Sequence, residues 1–346
     1  MILENSIGWC DVTGNKVIGC DKVSPGCKNC YAANDTPARV LRSRGIETWG
    51  PKGTRVPVAG FSQKVRQLNR RCICDRCHLT HSFDLLAGVT FCRCGGPLRR
   101  IRLFANSNSD WLDERWPTDV LADFLKDIHD NPNVDFLLLT KRPENFAGVS
   151  HIHSILRDLY GAGEGASGGY TQSGLKFYSW LAGWVSGERP PANVWLGVSV
   201  ENQWQANGRL PQLFDIPAAV HFASLEPLLG DVNIAPFLLS DYDKRCYDTQ
   251  LIVSLDTRHD NKLDWVIVGG ESGRDARPCN VKWVREIVAD THTYGCPVYV
   301  KQLGTFSIHE RGSQRIRTCW DHPKGGDLHE WPADLQRRDF PLIAPR

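Results

Sequence analysis

Ile101-Arg102-Leu103-Phe104-Ala105-Asn106-Ser107-Asn108-Ser109-Asp110 sets an apolar run directly against a cluster of short polar side chains, and this junction decides the fold. The same arrangement recurs down the chain. Residues 135–139 lead into Thr140-Lys141-Arg142-Pro143, 194–198 into Ser199-Val200-Glu201-Asn202, and 219–223 into Ser224-Leu225-Glu226-Pro227. Residues 265–268 lead into Gly269-Gly270-Glu271-Ser272, and 298–301 end on Lys301-Gln302. Runs rich in Val, Ile, Leu and Phe without polar alternation are the pattern of strands buried on both faces, as in a parallel sheet. Between them, 119–129 carries Leu121, Phe124, Leu125 and Ile128 at helical spacing, and 281–291 behaves alike. Strand and helix in repetition predict an α/β fold with a parallel sheet, either a barrel or an open wound sheet. In parallel barrels the carboxyl ends of the strands build the active site, so the polar residues would converge above one mouth. The alternative for each is a cap or turn residue of the helix that follows.

Composition bounds the rest. The 346 residues, 41% hydrophobic, suffice for one large α/β domain or two smaller ones. Residues 1–19 lack a basic region followed by an apolar run, and no segment approaches the roughly 20 apolar residues of a membrane span. The expectation is a soluble, cytoplasmic protein with no membrane partner. Thirteen cysteines in short C-x-x-C and C-x-C spacings argue for metal or redox chemistry in a reducing compartment over a disulfide framework. A net charge of +2 predicts no strong overall attraction to nucleic acid, so any such binding needs a local patch.

Two cysteine clusters stand out. Gly19-Cys20-Asp21-Lys22-Val23-Ser24-Pro25-Gly26-Cys27-Lys28-Asn29-Cys30-Tyr31 gathers three thiols on one loop with a Pro-Gly turn. A structural zinc normally takes four protein ligands, whereas three cysteines around a cubane cluster leave one iron free for a substrate or cofactor. A fourth cysteine, Cys10, Cys279 or Cys296, would instead make the site structural. The second cluster, Cys72-x-Cys74-x-x-Cys77 and, after fourteen residues, Cys92-x-Cys94-Gly95-Gly96, reads as a zinc ribbon on Cys74, Cys77, Cys92 and Cys94, with Cys72 spare. An auxiliary iron–sulfur cluster is its rival. Residues 64–102 carry nine Lys or Arg against Asp75 and Asp84, a candidate footprint for nucleic-acid phosphates or else a solvated basic face. Residues 161–174 are glycine-rich and read as a mobile surface loop. Their literal G-x-G-x-x-G at Gly163, Gly165 and Gly168 follows a helical pattern, not a strand, and is not a dinucleotide fingerprint.

The chain also resembles a phage and prophage family of unassigned activity, similar to radical S-adenosylmethionine (SAM) enzymes and closest in pattern to spore photoproduct lyase. The resemblance runs through 19–31, 104–112, 139–143, 194–201, 224–230, 265–273 and 301–304. It implies a partial (β/α) TIM-type barrel with a [4Fe-4S] cluster on Cys20, Cys27 and Cys30, whose free iron chelates SAM. It further implies reductive cleavage of SAM to methionine and a 5′-deoxyadenosyl radical that takes hydrogen from a substrate, with an electron donor such as flavodoxin or ferredoxin. Ser107, Ser109 and Asp110 would then sit near the SAM amino group, Lys141 near its carboxylate or ribose, and Ser199 and Glu201 on the ribose side. Glu226, Glu271 and Lys301 are the candidates facing substrate. The spacing C-x6-C-x2-C departs from the usual C-x3-C-x2-C, and Gly269-Gly270-Glu271 falls later in the chain than the family's Gly-Gly-Glu.

The organisation expected is a cluster loop and barrel start over 1–71, a zinc-ribbon-like insertion over 72–97, the barrel over 98–305 and an extension over 306–346. The function expected is a radical SAM enzyme, lyase-like or modifying, with a nucleic acid or nucleotide substrate presented through 64–102. If the chain is phage-encoded, it would act in the host cytoplasm. Hydrogen donors would be Cys279, Tyr299 or Cys246. The rival is a non-enzymatic, zinc-containing nucleic-acid-binding phage protein.

Overall fold

The computed structural model describes residues 7–83, 90–147, 151–164, 172–239, 261–311 and 314–342. The chain is a mixed α/β protein that divides into two compact units. The first comprises Met1–Lys22, Ala32–Leu196 and Ile216–Ala219; the second comprises Val23–Tyr31, Gly197–Asp215 and Val220–Arg346.

In the first unit the strands are β1 (Val12–Gly14), β2 (Val17–Ile18), β3 (Val56–Pro57), β4 (Arg71–Cys74), β5 (Thr80–Ser82), β6 (Leu98–Ala105) and β7 (Val134–Thr140). Its helices are α1 (Thr36–Ser43), α2 (Phe61–Asn69), α3 (Thr118–Asp130), α4 (Glu144–Ala147), α5 (His151–Glu164) and α6 (Gln172–Val185). β6 is the central member: β1 and β7 pair with it in parallel, and β4, itself in a hairpin with β5, pairs with it antiparallel. The expected strand at 101–105 is therefore the buried half of a longer one, whose first three residues are half-exposed where they meet β4. The helix at 119–129 is also present, with Leu121, Phe124, Leu125 and Ile128 buried as their spacing requires. Asp127 is buried beside them because Lys16 Nζ lies 3.0 Å from its Oδ2 and the Ser62 hydroxyl donates to the same oxygen at 2.7 Å. Aromatic rings fill this core: Trp111 stacks on Trp184 at 6.3 Å, and Trp116 meets Phe124 edge-on at 5.8 Å.

The glycine-rich stretch 161–174 is helical at both ends, since α5 continues to Glu164 and α6 starts at Gln172. The apolar faces of these helices, which pack against α3 and each other, carry the helices past the glycines that suggested a loop. Gly165 and Gly168 lie outside the described residues.

Strand β8 (Val194–Ser199) contributes residues 194–196 to the first unit and 197–199 to the second. The second unit continues with β9 (Val220–Leu225), β10 (Trp265–Gly269), β11 (Cys279–Asn280), β12 (Val298–Gln302), β13 (Phe306–Arg311) and β14 (Gln314–Cys319). Its helices are α7 (Gln203–Phe214) and α8 (Val281–Thr293). β9, β10 and β12 run parallel, with β10 in the middle, and every residue of β9 and β10 is buried. Trp265, Tyr299 and Phe340 pack together here, with Phe340 5.3 Å from Trp265 and 5.5 Å from Tyr299. Part of the C-terminal extension lines the free edge of β12: Val300 donates its amide to Arg337 at 2.9 Å and receives company from Asp339, whose amide reaches Val298 at 2.9 Å. A sheet edge is thereby paired and withheld from intermolecular pairing.

Candidate functional site

The four expected zinc ligands converge within the first unit. β4 delivers Cys74 to a tight turn in which the amides of Arg76 and Cys77 point at its sulfur, at 3.4 and 3.5 Å. His78 closes that turn at φ 56°, the left-handed region that few non-glycine residues adopt. In the facing turn, the Cys92 amide donates to the Gly96 carbonyl and Gly95 to Cys92, each at 2.8 Å. Gly96 must be glycine, since a Cβ there would lie 2.7 Å from Cys74 Sγ. Cys74 and Cys94 sulfurs are 3.4 Å apart, those of Cys77 and Cys92 are 3.7 Å apart, and all four lie within 4.8 Å of one another. Zinc–sulfur bonds of about 2.3 Å in a tetrahedron give edges of about 3.8 Å, so the donor set fits one such ion.

The electrostatics favour a cation. Burial opposes ionisation of Cys74, yet the amides of Cys77 and Arg76 and the Cys94 thiol bring its pKa down to about 6. The Leu79 amide favours Cys77 ionisation, but burial and the neighbouring thiols push it up to about 12. A second thiolate is thus resisted until a metal shares the charge. Cys72 stands apart on β4, its sulfur 3.9 Å from the His81 carbonyl. His81 Nε2 lies 3.4 Å from Cys92 Sγ, a neighbour that cysteine spacing alone did not disclose. The pairing of Cys72 with His81 across the β4–β5 hairpin brings it there.

Cys20, also in the first unit, has a different setting. The Gly19 amide bonds the Asn108 carbonyl at 3.0 Å and the Cys20 amide bonds Thr48 at 3.2 Å, fixing the start of the loop. Arg142 Nη1 lies 3.7 Å from Cys20 Sγ and donates to Asp110 Oδ2 at 2.9 Å, while Nη2 donates to the Asp21 carbonyl at 3.3 Å. Arg55 Nε donates to Asp113 at 2.7 Å, and Asp113 lies 3.9 Å from Arg142. Asp110 is engaged on all sides, accepting also from Thr140 Oγ1 at 2.7 Å, the Lys141 amide at 2.9 Å and the Leu112 amide at 3.1 Å. Burial, with Asp110 adding to it and Arg142 opposing, pushes the Cys20 thiol up to about 11. Ser107 lies beside Asn15 at 3.3 Å. Ser109 and Lys141 are half-buried on the two strand ends.

Cys27 and Cys30 belong to the second unit, where carboxylates grip the loop that carries them. Glu201 is fully buried; Ser24 Oγ donates to its Oε1, and so does the Gly26 amide at 3.2 Å. Arg209 donates to Glu201 Oε2 at 2.8 Å and to the Ser199 carbonyl at 2.7 Å. Gly26 has no room for a side chain, since a Cβ would meet Glu201 Oε1 at 2.8 Å. On the other flank, Asn29 Nδ2 donates to Glu271 Oε2 at 3.1 Å, and Arg277 pairs with Glu271 at 2.6 Å while its Nη1 donates to the Pro25 carbonyl at 3.0 Å. Burial works against the Glu271 carboxylate, but Arg277 and Asn29 hold its pKa below the usual glutamate range. Glu201 and Glu271, assigned from the sequence to ribose and substrate, are thus both engaged with the cysteine loop, as is Arg277, which no motif had singled out. Cys27 Sγ has the Ser24 hydroxyl at 3.7 Å.

Elsewhere in this unit, Lys301 and Glu226 pair at 3.0 Å at the ends of β12 and β9, and Ser199 is buried. Of the proposed hydrogen donors, Cys279 is buried, with its thiol pushed up to about 12, and Tyr299 is buried in the aromatic core. Cys246 lies outside the described residues. Neither Cys279 nor Cys296 joins a metal-ligating group; among the described residues the four-thiol set is the one such group. Trp204, in the first turn of α7, is 81% exposed.

The basic stretch 64–102 is less available than its composition suggested. Arg99 pairs with Asp11 at 2.6 Å and with Asp75, Arg100 pairs with Asp135 at 2.8 Å, and Arg102 is buried over the Trp195 ring. Lys64, Arg66, Arg70, Arg76 and Arg93 are exposed. Among the described residues no helix is long and apolar enough to cross a membrane.

A family model described as "Protein of unknown function (DUF5131)" matches residues 4–330, and the chain belongs to that family. No curated protein and no solved structure matches it.

Proposed function

We propose that this DUF5131 protein is a radical SAM enzyme carrying a [4Fe-4S] cluster on Cys20, Cys27 and Cys30 and a structural zinc on Cys74, Cys77, Cys92 and Cys94. The observation that carries the enzymatic half is the treatment of the three-cysteine loop. In the second unit Ser24, Gly26 and Asn29 are tied down by the buried carboxylates of Glu201 and Glu271, and in the first an arginine stands against Cys20. Three thiols and a cationic neighbour suit an anionic iron–sulfur group with one open iron. When bound, the cluster supplies the electron, delivered by a flavodoxin- or ferredoxin-like donor, that splits SAM into methionine and a 5′-deoxyadenosyl radical.

The chain's own residues would orient this chemistry. Glu201 and Glu271 with Arg277 fix the loop backbone. Lys141, a cation at the end of β7, is the partner offered to the SAM carboxylate, and Ser107 and Ser109 at the end of β6 offer hydroxyls to its amino group. The strand ends belong to a parallel-rich α/β fold, and a partial (β/α) barrel is the architecture proposed for it. For the zinc, the thiol spacing accommodates one ion and leaves little room for the several irons and sulfides of an auxiliary cluster. A nucleic acid or nucleotide is the substrate class favoured, because Lys64, Arg66, Arg70, Arg76 and Arg93 remain exposed for phosphates.

Anaerobic reconstitution followed by iron, sulfide and zinc analysis tests both halves, with SAM and a reductant then added and 5′-deoxyadenosine detected. Brown protein with one zinc that releases 5′-deoxyadenosine only when Cys20, Cys27 and Cys30 are intact supports the reading. Colourless protein holding zinc alone, with SAM untouched, would replace it with the non-enzymatic nucleic-acid binder.

A further inference from the structure

We infer that Arg142 is a positioning residue that sets the charge felt at Cys20 and thereby raises the reduction potential of the metal group Cys20 ligates. The inference rests on the radical SAM reading above. Arg142 is 7% exposed and is the second cation in an alternating series, Arg55–Asp113–Arg142–Asp110, whose links measure 2.7, 3.9 and 2.9 Å. Those four charges cancel among themselves, and Arg142 is the member whose guanidinium also reaches the Cys20 sulfur, at 3.7 Å.

The two hydrogen bonds at the Cys20 sulfur have opposite senses. Toward the Asp21 carbonyl, at 3.4 Å, the thiol donates its proton; toward Arg142, at 3.7 Å, the sulfur accepts. Ligation removes the thiol proton and with it the first bond, while the second survives and strengthens against a thiolate. Arg142 also holds the Asp21 carbonyl through its other terminal nitrogen, so one guanidinium fixes both the ligand and the Asp21–Lys22 peptide that follows it. Hydrogen bonds to ligating sulfurs and nearby positive charge stabilise the more negative, reduced state of an iron–sulfur centre. Asp110, on the far side of the same guanidinium, pulls the other way.

This opposition provides the test. Full-length wild type, Arg142→Gln, Arg142→Lys and Asp110→Asn are reconstituted, their iron is counted, and each is titrated with dithionite without SAM while the reduced signal is followed by electron paramagnetic resonance. The expected result is a midpoint more negative than wild type in Arg142→Gln, more positive in Asp110→Asn, and between wild type and Arg142→Gln in Arg142→Lys. A purely structural role would loosen the site in both directions alike. Iron-loaded variants whose midpoints do not move, or move in the same direction for Arg142→Gln and Asp110→Asn, overturn the inference. If Arg142→Gln fails to retain iron, the Arg142→Lys and Asp110→Asn pair still decides the sign. Wild type that takes up no iron overturns the radical SAM reading itself, an outcome distinct from an unmoved midpoint.

Discussion

At Cys74, Cys77, Cys92 and Cys94 the neighbours of the sulfurs are other sulfurs, backbone amides and one imidazole, that of His81, so the group closes on itself. At Cys20 the neighbour is a guanidinium and at Cys27 a hydroxyl, and the loop around Cys27 is held by carboxylates distant in sequence. On the proposed reading, the first site would use metal to hold a fold whose local chain is too short to bury a core. The second uses the fold to hold sulfurs. Removing a ligand should therefore cost stability at the first and chemistry at the second.

The largest effect is expected from Cys92→Ser or from chelating the zinc. Structural zinc contributes on the order of 10 kcal/mol in small metal-dependent modules, and part of that should appear as lost soluble protein or a sharply lower melting temperature. An unchanged melting curve with zinc absent would erase the distinction drawn above. Next comes Glu201→Gln, which strands the buried Arg209 cation and should cost about 3–5 kcal/mol while zinc content stays at wild-type level. Calorimetry together with zinc analysis checks both statements.

Acidification should separate the sites more gently. Glu271 has a folded pKa below its unfolded value, so the stability it lends is complete above about pH 4.3 and is lost only as pH falls through the lower folded value. Thiolate ligands compete with protons for their metal at milder acidity. Zinc release, followed with a chromogenic chelator, should thus precede exposure of residues 24–29 to hydrogen exchange; the reverse order would show that the loop clamp is the weaker device. The smallest effect on stability belongs to Cys27→Ala, within about 1 kcal/mol of wild type by melting, although iron binding and SAM cleavage should disappear. Retained SAM cleavage would remove Cys27 from the cluster.

The two regions also differ in how far the sequence revealed them. The zinc-type site was legible because its ligands are neighbours in the chain, and two turns suffice to bring them together. The apolar runs were legible for the same reason, each strand being written in its own residues. The clamps were not: Arg142 lies 122 residues from Cys20, Glu201 lies 177 from Ser24, and Glu271 lies 242 from Asn29. Each reads locally as a strand-end cap, and only tertiary structure turns it toward the loop. Charge counting overstated the free cations of 64–102 for a related reason, since composition records Arg99 and Arg100 but not Asp11 and Asp135, which pair with them from other segments.

The pairing of Cys72, Ile73 and Cys74 on β4 with Arg100, Arg99 and Leu98 on β6 bears on how this protein could be re-engineered or diversified. A segment that looks from its cysteines like a detachable cassette is sewn to the strand whose other end carries Asn106 to Asp110. Excising 72–97 would leave the first half of β6 as a raw edge, open to pairing with other chains. A functional graft would have to transfer β4, β5 and the opening of β6 as one piece, so the graftable unit is defined by a ladder of backbone bonds rather than by its metal ligands.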